Sequence, residues 1–184
     1  IGEWKDCRFY KIDCRILTDD AFTALFSRLF KEFNDGTLPA TLFLKEVGYL
    51  GHDNQVKLLE LIEDGIFQNG NERKVFKNLR FISSSSEDLK EKVVRTKFSE
   101  DLYYRLNTLS IRIPPLRDRT KDISKIAQYI LMEHSKKMKV KKVGISENVL
   151  MLLKSYWWPG NLRELEHVIV QSAIFSEGDR LMEK

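Results

Sequence analysis

Cysteine is nearly absent from this chain of 184 residues: there are two, Cys7 and Cys14, both close to the start. That count excludes a small secreted scaffold held by a disulfide framework. The alternation in Arg8-Phe9-Tyr10-Lys11-Ile12-Asp13 puts the two thiols at opposite ends of one strand, too far apart to bridge. Reduced thiols in a cytoplasmic protein are the simple expectation. No apolar run approaches the roughly 18 to 20 residues that cross a bilayer, and no charged segment followed by an apolar one opens the chain, so neither a membrane partner nor a leader is expected. The three histidines, His52, His134 and His167, lack the spacing of a metal site. Charge of one sign is not in large excess either. The 31 basic and 27 acidic residues are mixed along most of the chain, a weak basis for direct nucleic-acid binding.

What remains is an ordinary globular composition, 42% apolar and 32% charged, in a length that supports one core or a large and a small one. The chain opens on Ile1 rather than Met, which fits a piece of something longer and leaves room for upstream domains. Residues 8 to 14 read as a strand. Residues 19 to 33 read as an amphipathic helix with Phe22, Leu25, Phe26, Leu29 and Phe33 on one face, Asp19-Asp20 at its positive end and Asn34-Asp35-Gly36 as its stop. Thr41-Leu42-Phe43-Leu44 has the composition of a strand buried on both faces of a parallel sheet. A helix from about Asp53 to Glu63 follows, closed by Gly65. Gln68-Asn69-Gly70-Asn71 signals a hairpin within Phe67 to Phe76, and Leu79 to Ile82 is another buried strand.

Strands alternating with helices define an α/β class whose ligand site lies at the carboxyl ends of the strands, here just after Leu44 and Ile82. Beyond the strand-like Leu109 to Ile113, Pro114-Pro115 breaks the pattern. Helical segments then follow at roughly 120 to 137, 146 to 156 and 161 to 175. The expected division is an α/β core over 1–116 and a helical domain over 117–184.

Thr41-Leu42-Phe43-Leu44-Lys45-Glu46-Val47-Gly48 has the form of a Walker B strand, an apolar strand ending in two acidic positions, the first for Mg²⁺ and the second to polarise water. Lys45 stands at the first position, where an ammonium repels the metal; Glu46 remains available as a base. Taken alone, the segment is equally an ordinary strand running into a surface Lys-Glu pair. Longer phrases decide between these. Lys97-Phe98-Ser99-Glu100-Asp101-Leu102-Tyr103-Tyr104-Arg105-Leu106-Asn107, then Ile113-Pro114-Pro115-Leu116-Arg117-Asp118-Arg119, then Trp158-Pro159-Gly160-Asn161-Leu162-Arg163-Glu164-Leu165-Glu166 resemble, in order, the arginine-finger region, lid entry and sensor II signature of the AAA+ domain of sigma-54-dependent transcription activators, the NtrC-type bacterial enhancer-binding proteins. The resemblance covers about residues 8 to 180.

That resemblance implies a RecA-like core with a parallel sheet, a small all-helical lid, and ATP with Mg²⁺ bound in the family between core, lid and neighbouring subunit. It places Arg163 at sensor II, where it grips phosphate, with pairing to a lid carboxylate as the alternative. Arg105 takes the second arginine-finger position and Ser99 the first, where a hydroxyl has neither charge nor reach. Ser86 takes the sensor I position. No G-x-x-x-x-G-K-S/T occurs in the sequence, and Cys7 to Cys14 resembles the strand that follows the P-loop helix, so a P-loop would lie before Ile1 and the core is expected to be truncated at its N-terminus. The family's sigma-factor loop, Gly-Ala-Phe-Thr-Gly-Ala, has only a distant counterpart in Asp20-Ala21-Phe22-Thr23-Ala24-Leu25, which is also explained by a helix burying Phe22.

The resulting expectation is a degenerate member: no cofactor for this chain itself, no metal ligands, a vestigial base at Glu46, and action through a protein partner, another AAA+ subunit or sigma-54 RNA polymerase. An active activator with its P-loop and DNA-binding domain outside this chain is the competing expectation. A structural interaction domain unrelated to transcription is the third. Lys45 is expected to pair with a carboxylate in the abandoned site or to turn outward. Lys136 to Lys142 reads as a solvated helix end, and Trp157 and Trp158 as anchors packing the lid against the core.

Overall fold

The computed structural model describes residues 7–33, 38–138, 144–176 and 180–181. By its contacts the chain divides into two compact units, Ile1–Ser110 and Ile111–Lys184.

The first unit is built on three parallel strands, β1 (Arg8–Asp13), β2 (Ala40–Lys45) and β5 (Leu79–Ser84), in the order β1-β2-β5. Ala40, Thr41, Leu42 and Leu44 of the central strand are buried, as expected where helices cover both faces of a sheet. Helix α1 (Asp19–Glu32) starts where the Thr18 hydroxyl accepts the Ala21 N–H at 3.2 Å, with Asp19 and Asp20 in its first turn. Spacing of three and four residues brings Phe22, Phe26, Leu29 and Phe33 onto one fully buried face. The expected stop at Asn34-Asp35-Gly36 lies outside the described residues.

Helix α2 (His52–Asp64) ends on Gly65, whose φ of +68° is left-handed. A Cβ at Gly65 would also meet the Phe76 carbonyl oxygen at 2.3 Å, so two constraints select glycine there. Strands β3 (Ile66–Asn69) and β4 (Glu72–Val75) form the expected antiparallel hairpin. It closes over α1 through aromatic contacts: Phe26 to Phe67 at 5.4 Å and Phe30 to Phe76 at 5.4 Å between ring centroids. Two short helices, α3 (Leu89–Val94) and α4 (Glu100–Leu106), complete the unit.

One element differs from its pattern. Leu109 to Ile113 alternates like a strand but forms none, and Leu109, Ile111 and Ile113 are 87%, 83% and 77% exposed. Alternation records only that one side of a segment is apolar. A strand also needs a ladder partner, and among the described residues this segment has none.

The second unit packs α5 (Thr120–Met138), α6 (Glu147–Ser155) and α7 (Asn161–Phe175) around Leu116, Ile123, Ala127, Leu131, Leu153, Leu165 and Ile169. A two-residue parallel pair, β6 (Gly144–Ile145) with β7 (Arg180–Leu181), is added to the expected helices. The two tryptophans separate. Trp158 is buried in this unit's own core and donates its indole N–H to the Leu153 carbonyl at 2.6 Å, whereas Trp157 is 65% exposed under the Arg117 guanidinium. The expectation that both pack the lid against the core is corrected for Trp157, which is exposed, and Trp158 packs within its own unit. Lys136 and Lys137 sit in the last turn of α5, and Lys139, Lys141 and Lys142 lie outside the described residues. No described helix is long and apolar enough to cross a membrane.

Candidate functional site

Parallel pairing puts the carboxyl ends of all three strands of the main sheet at one edge. Asp13 stands opposite Lys45 in the β1–β2 register, and Lys45 opposite Ser84 in the β2–β5 register. The chain turns sharply after β2: Glu46 takes a left-handed conformation, φ 58° and ψ 49°, before a 3-10 turn over Val47–Tyr49. Such a conformation costs a residue with a side chain about 1–3 kcal/mol and persists where surrounding contacts fix it. Here the fixing contacts are clear. Glu46 Oε2 accepts the Ser86 backbone N–H at 2.9 Å and the Ser86 hydroxyl at 2.8 Å.

Lys45 turns to β1. Its Nζ lies 3.3 Å from Asp13 Oδ2. The same carboxylate receives Arg15 from both guanidinium corners, Nη2 at 2.5 Å and Nε at 2.9 Å, and the Arg15 backbone N–H at 3.2 Å. The Arg15 guanidinium holds the Asp13 carboxyl well below the usual carboxylate range, with burial opposing and Lys45 adding to the effect. Glu46 is also lowered, first by the Ser86 backbone N–H, then by its hydroxyl and the charges of Arg15 and Lys45. Cys14, between Asp13 and Arg15, is pushed up to about 12 by burial and by the negative charges of Asp13 and Glu46, so its thiol stays protonated and inert.

The cluster neutralises itself: two carboxylates, Asp13 and Glu46, face two cations, Arg15 and Lys45. The residues do not fit a divalent cation at the first acidic position of the strand. An ammonium stands there and is already seated on the nearest carboxylate, so a metal would have to displace a resident charge of its own sign.

Of the residues singled out from sequence, Lys45, Glu46 and Ser86 come together. Ser99 does not join them. It caps α4, accepting the Leu102 N–H at 3.3 Å, and its own N–H donates to Gln55 Oε1 at 2.7 Å. Arg105 is drawn to α2 of the same chain, with Nε 2.9 Å from Glu63 Oε1 and both side chains substantially exposed. Arg163 sits exposed in the first turn of α7, in the second unit, with no ion pair to a described residue. Phe22, the aromatic of the distant sigma-loop counterpart, is fully buried, and Thr23 accepts from Lys57 at 3.2 Å. Sequence reasoning missed Asp13, Arg15 and Gln55. The carboxyl-end rule applied to β1 as well as to β2 and β5 would have found the first two.

The sigma-54 interaction domain matches residues 17–112 and the AAA+ ATPase lid domain matches residues 117–184. The chain belongs to the sigma-54 interaction domain family and has its α/β RecA-like AAA+ fold with a lid.

Among particular relatives, it is 42% identical over 138 residues to a Nif-specific regulatory protein of Azotobacter vinelandii, covering 74% of this chain and 26% of that protein. It is 36% identical over 186 residues to the Nif-specific regulatory protein of Klebsiella pneumoniae, covering 92% and 34%. To the DNA-binding transcriptional regulator NtrC of Proteus hauseri it is 36% identical over 154 residues, covering 83% and 32%. The chain thus spans about a quarter to a third of the curated relatives' length. Among solved structures, NtrX from Brucella abortus in complex with ATP superposes with a TM-score of 0.80 at 25% identity, covering 97% of this chain and 41% of that one.

Proposed function

We propose that this chain is the AAA+ module of a sigma-54-type transcriptional regulator in which ATP hydrolysis is lost or nearly lost, and that it acts by protein contact, with another AAA+ subunit or with sigma-54 RNA polymerase. The carrying observation is the Lys45–Asp13 ion pair at the strand end, where phosphoryl transfer would need a metal-anchoring carboxylate. Two further features support it. Glu46 is held against both donor groups of Ser86, and Ser99 serves as a helix cap instead of offering a cation.

The reading of an active ATPase draws on one observation, the ionised state favoured for Glu46, and it needs a P-loop, which this sequence does not contain. Mg²⁺-dependent ATP turnover is therefore measured for this chain and for the protein extended through the residues its gene encodes before Ile1, at concentrations that promote assembly, each beside Lys45→Asp and Glu46→Gln. The expected result is no turnover above background. Robust hydrolysis abolished by Glu46→Gln overturns the proposal.

A further inference from the structure

Away from the strand ends, helix α1 and the β3–β4 hairpin enclose an open cleft of about 770 Å³ lined by Ser27, Arg28, Phe30, Lys31, Arg73 and Lys74, with Glu72 at its side. Four cations face one carboxylate across this lining. Lys74 is the most satisfied of them: it lies 3.0 Å from Glu72, donates to Ser27 Oγ at 3.1 Å and sits over the Phe30 ring at 5.9 Å. Arg28 pairs along its own helix with Glu32 at 3.2 Å. Lys31 on the helix wall and Arg73 on the hairpin wall are exposed and have no ion pair to a described residue. The cleft therefore carries uncompensated positive charge on both walls above a partly buried aromatic surface.

We infer that this cleft is a docking groove for an acidic, partly apolar peptide segment of a protein partner. Carboxylates spaced along such a segment reach Lys31 and Arg73 on opposite walls, while an intervening apolar side chain covers Phe30. A nucleic-acid strand suits the groove less well. Glu72 and Glu32 interrupt the basic surface, and a continuous run of phosphates meets them at short range. The inference gives a partner class to the interaction module proposed above and rests on that reading.

The test is fluorescence anisotropy of the full chain with a labelled peptide alternating glutamate and leucine, against a lysine-leucine peptide and a single-stranded oligodeoxynucleotide of equal charge. The groove binds the acidic peptide in preference to both. Lys31→Glu with Arg73→Glu, two exposed sites that leave the core untouched, weakens it by about tenfold or more. Lys121→Glu with Lys125→Glu, an equal charge reversal on exposed α5 sites, leaves it unchanged. Absence of peptide binding, preference for the oligonucleotide, or equal weakening by the two double variants overturns the inference. ATP turnover on the same preparations keeps the two readings apart. Hydrolysis with intact peptide binding fails only the earlier one, and lost peptide binding without hydrolysis fails only this one.

Discussion

Asn54 is fully buried in the first turn of α2, and neither its amide nitrogen nor its amide oxygen has a hydrogen-bond partner among the described residues. Burying an unsatisfied polar group costs about 1–3 kcal/mol. Asn54→Ala removes both orphaned atoms at once. Against that gain stands the space vacated by the amide, on the order of 30 Å³, which at about 24 cal/mol per Å³ costs about 0.7 kcal/mol before relaxation. The better helix propensity of alanine returns roughly 0.5 kcal/mol. The net expectation is stabilisation by about 1–2 kcal/mol, which for a chain of this size raises Tm by about 2–8 °C.

Thermal unfolding followed by circular dichroism and by calorimetry reads the shift, with Asn54→Asp as the contrasting variant, expected to destabilise strongly because it buries a charge without a partner. The reasoning fails if Asn54→Ala lowers stability by about 1 kcal/mol or more, the signature of an amide that was satisfied. The neighbouring Gln55 supplies the internal comparison. Its amide bonds the Leu50 carbonyl at 2.8 Å and the Ser99 N–H at 2.7 Å, so Gln55→Ala is expected to destabilise.

Lys45→Asp sets a second carboxylate beside Asp13 and is expected to lower Tm without Mg²⁺, while the unmodified chain gains no stability from Mg²⁺; a Mg²⁺-induced rise in the unmodified protein that disappears in Glu46→Gln would refute the reading of Lys45. Asp13 and Glu46 are both depressed in the folded state, so the unfolded chain binds more protons and their stabilisation is present above the ordinary carboxylate range near pH 4, then lost as pH falls below it. Arg15→Ala removes the largest cause at Asp13 and should flatten the fall of Tm below about pH 4; an unchanged slope contradicts the assignment.

Elements were legible in the sequence where a local period determines them. The aromatic spacing of α1, the apolar run of β2 and the glycines that end α2 and turn the hairpin each carry their own structural signal. Leu109 to Ile113 was not legible, because its apolar alternation matches a strand and whether a ladder partner adjoins it is a non-local fact. The strand-end site divides in the same way. Lys45, Glu46 and Ser86 follow from their positions at the end of β2, just after it, and just after β5. The seating of Lys45 on Asp13 depends on the β1–β2 register, which no local pattern prints, whereas the clasp of Asp13 by Arg15 is a local contact two residues along the chain. Trp157 and Trp158 are adjacent and chemically alike. The backbone at Trp158 is left-handed, φ 50°, where the buried ring follows the exposed one, and the sequence of the pair carries no sign of it.

The Arg105–Glu63 pair ties α4 to α2 within one chain. A guanidinium engaged at Nε by α2 of its own chain must exchange that carboxylate for any other acceptor of the same donor. Because both side chains are substantially exposed, that exchange is nearly cost-free. The pair therefore holds the arginine only lightly, and removing Glu63 would free the side chain at little cost in stability.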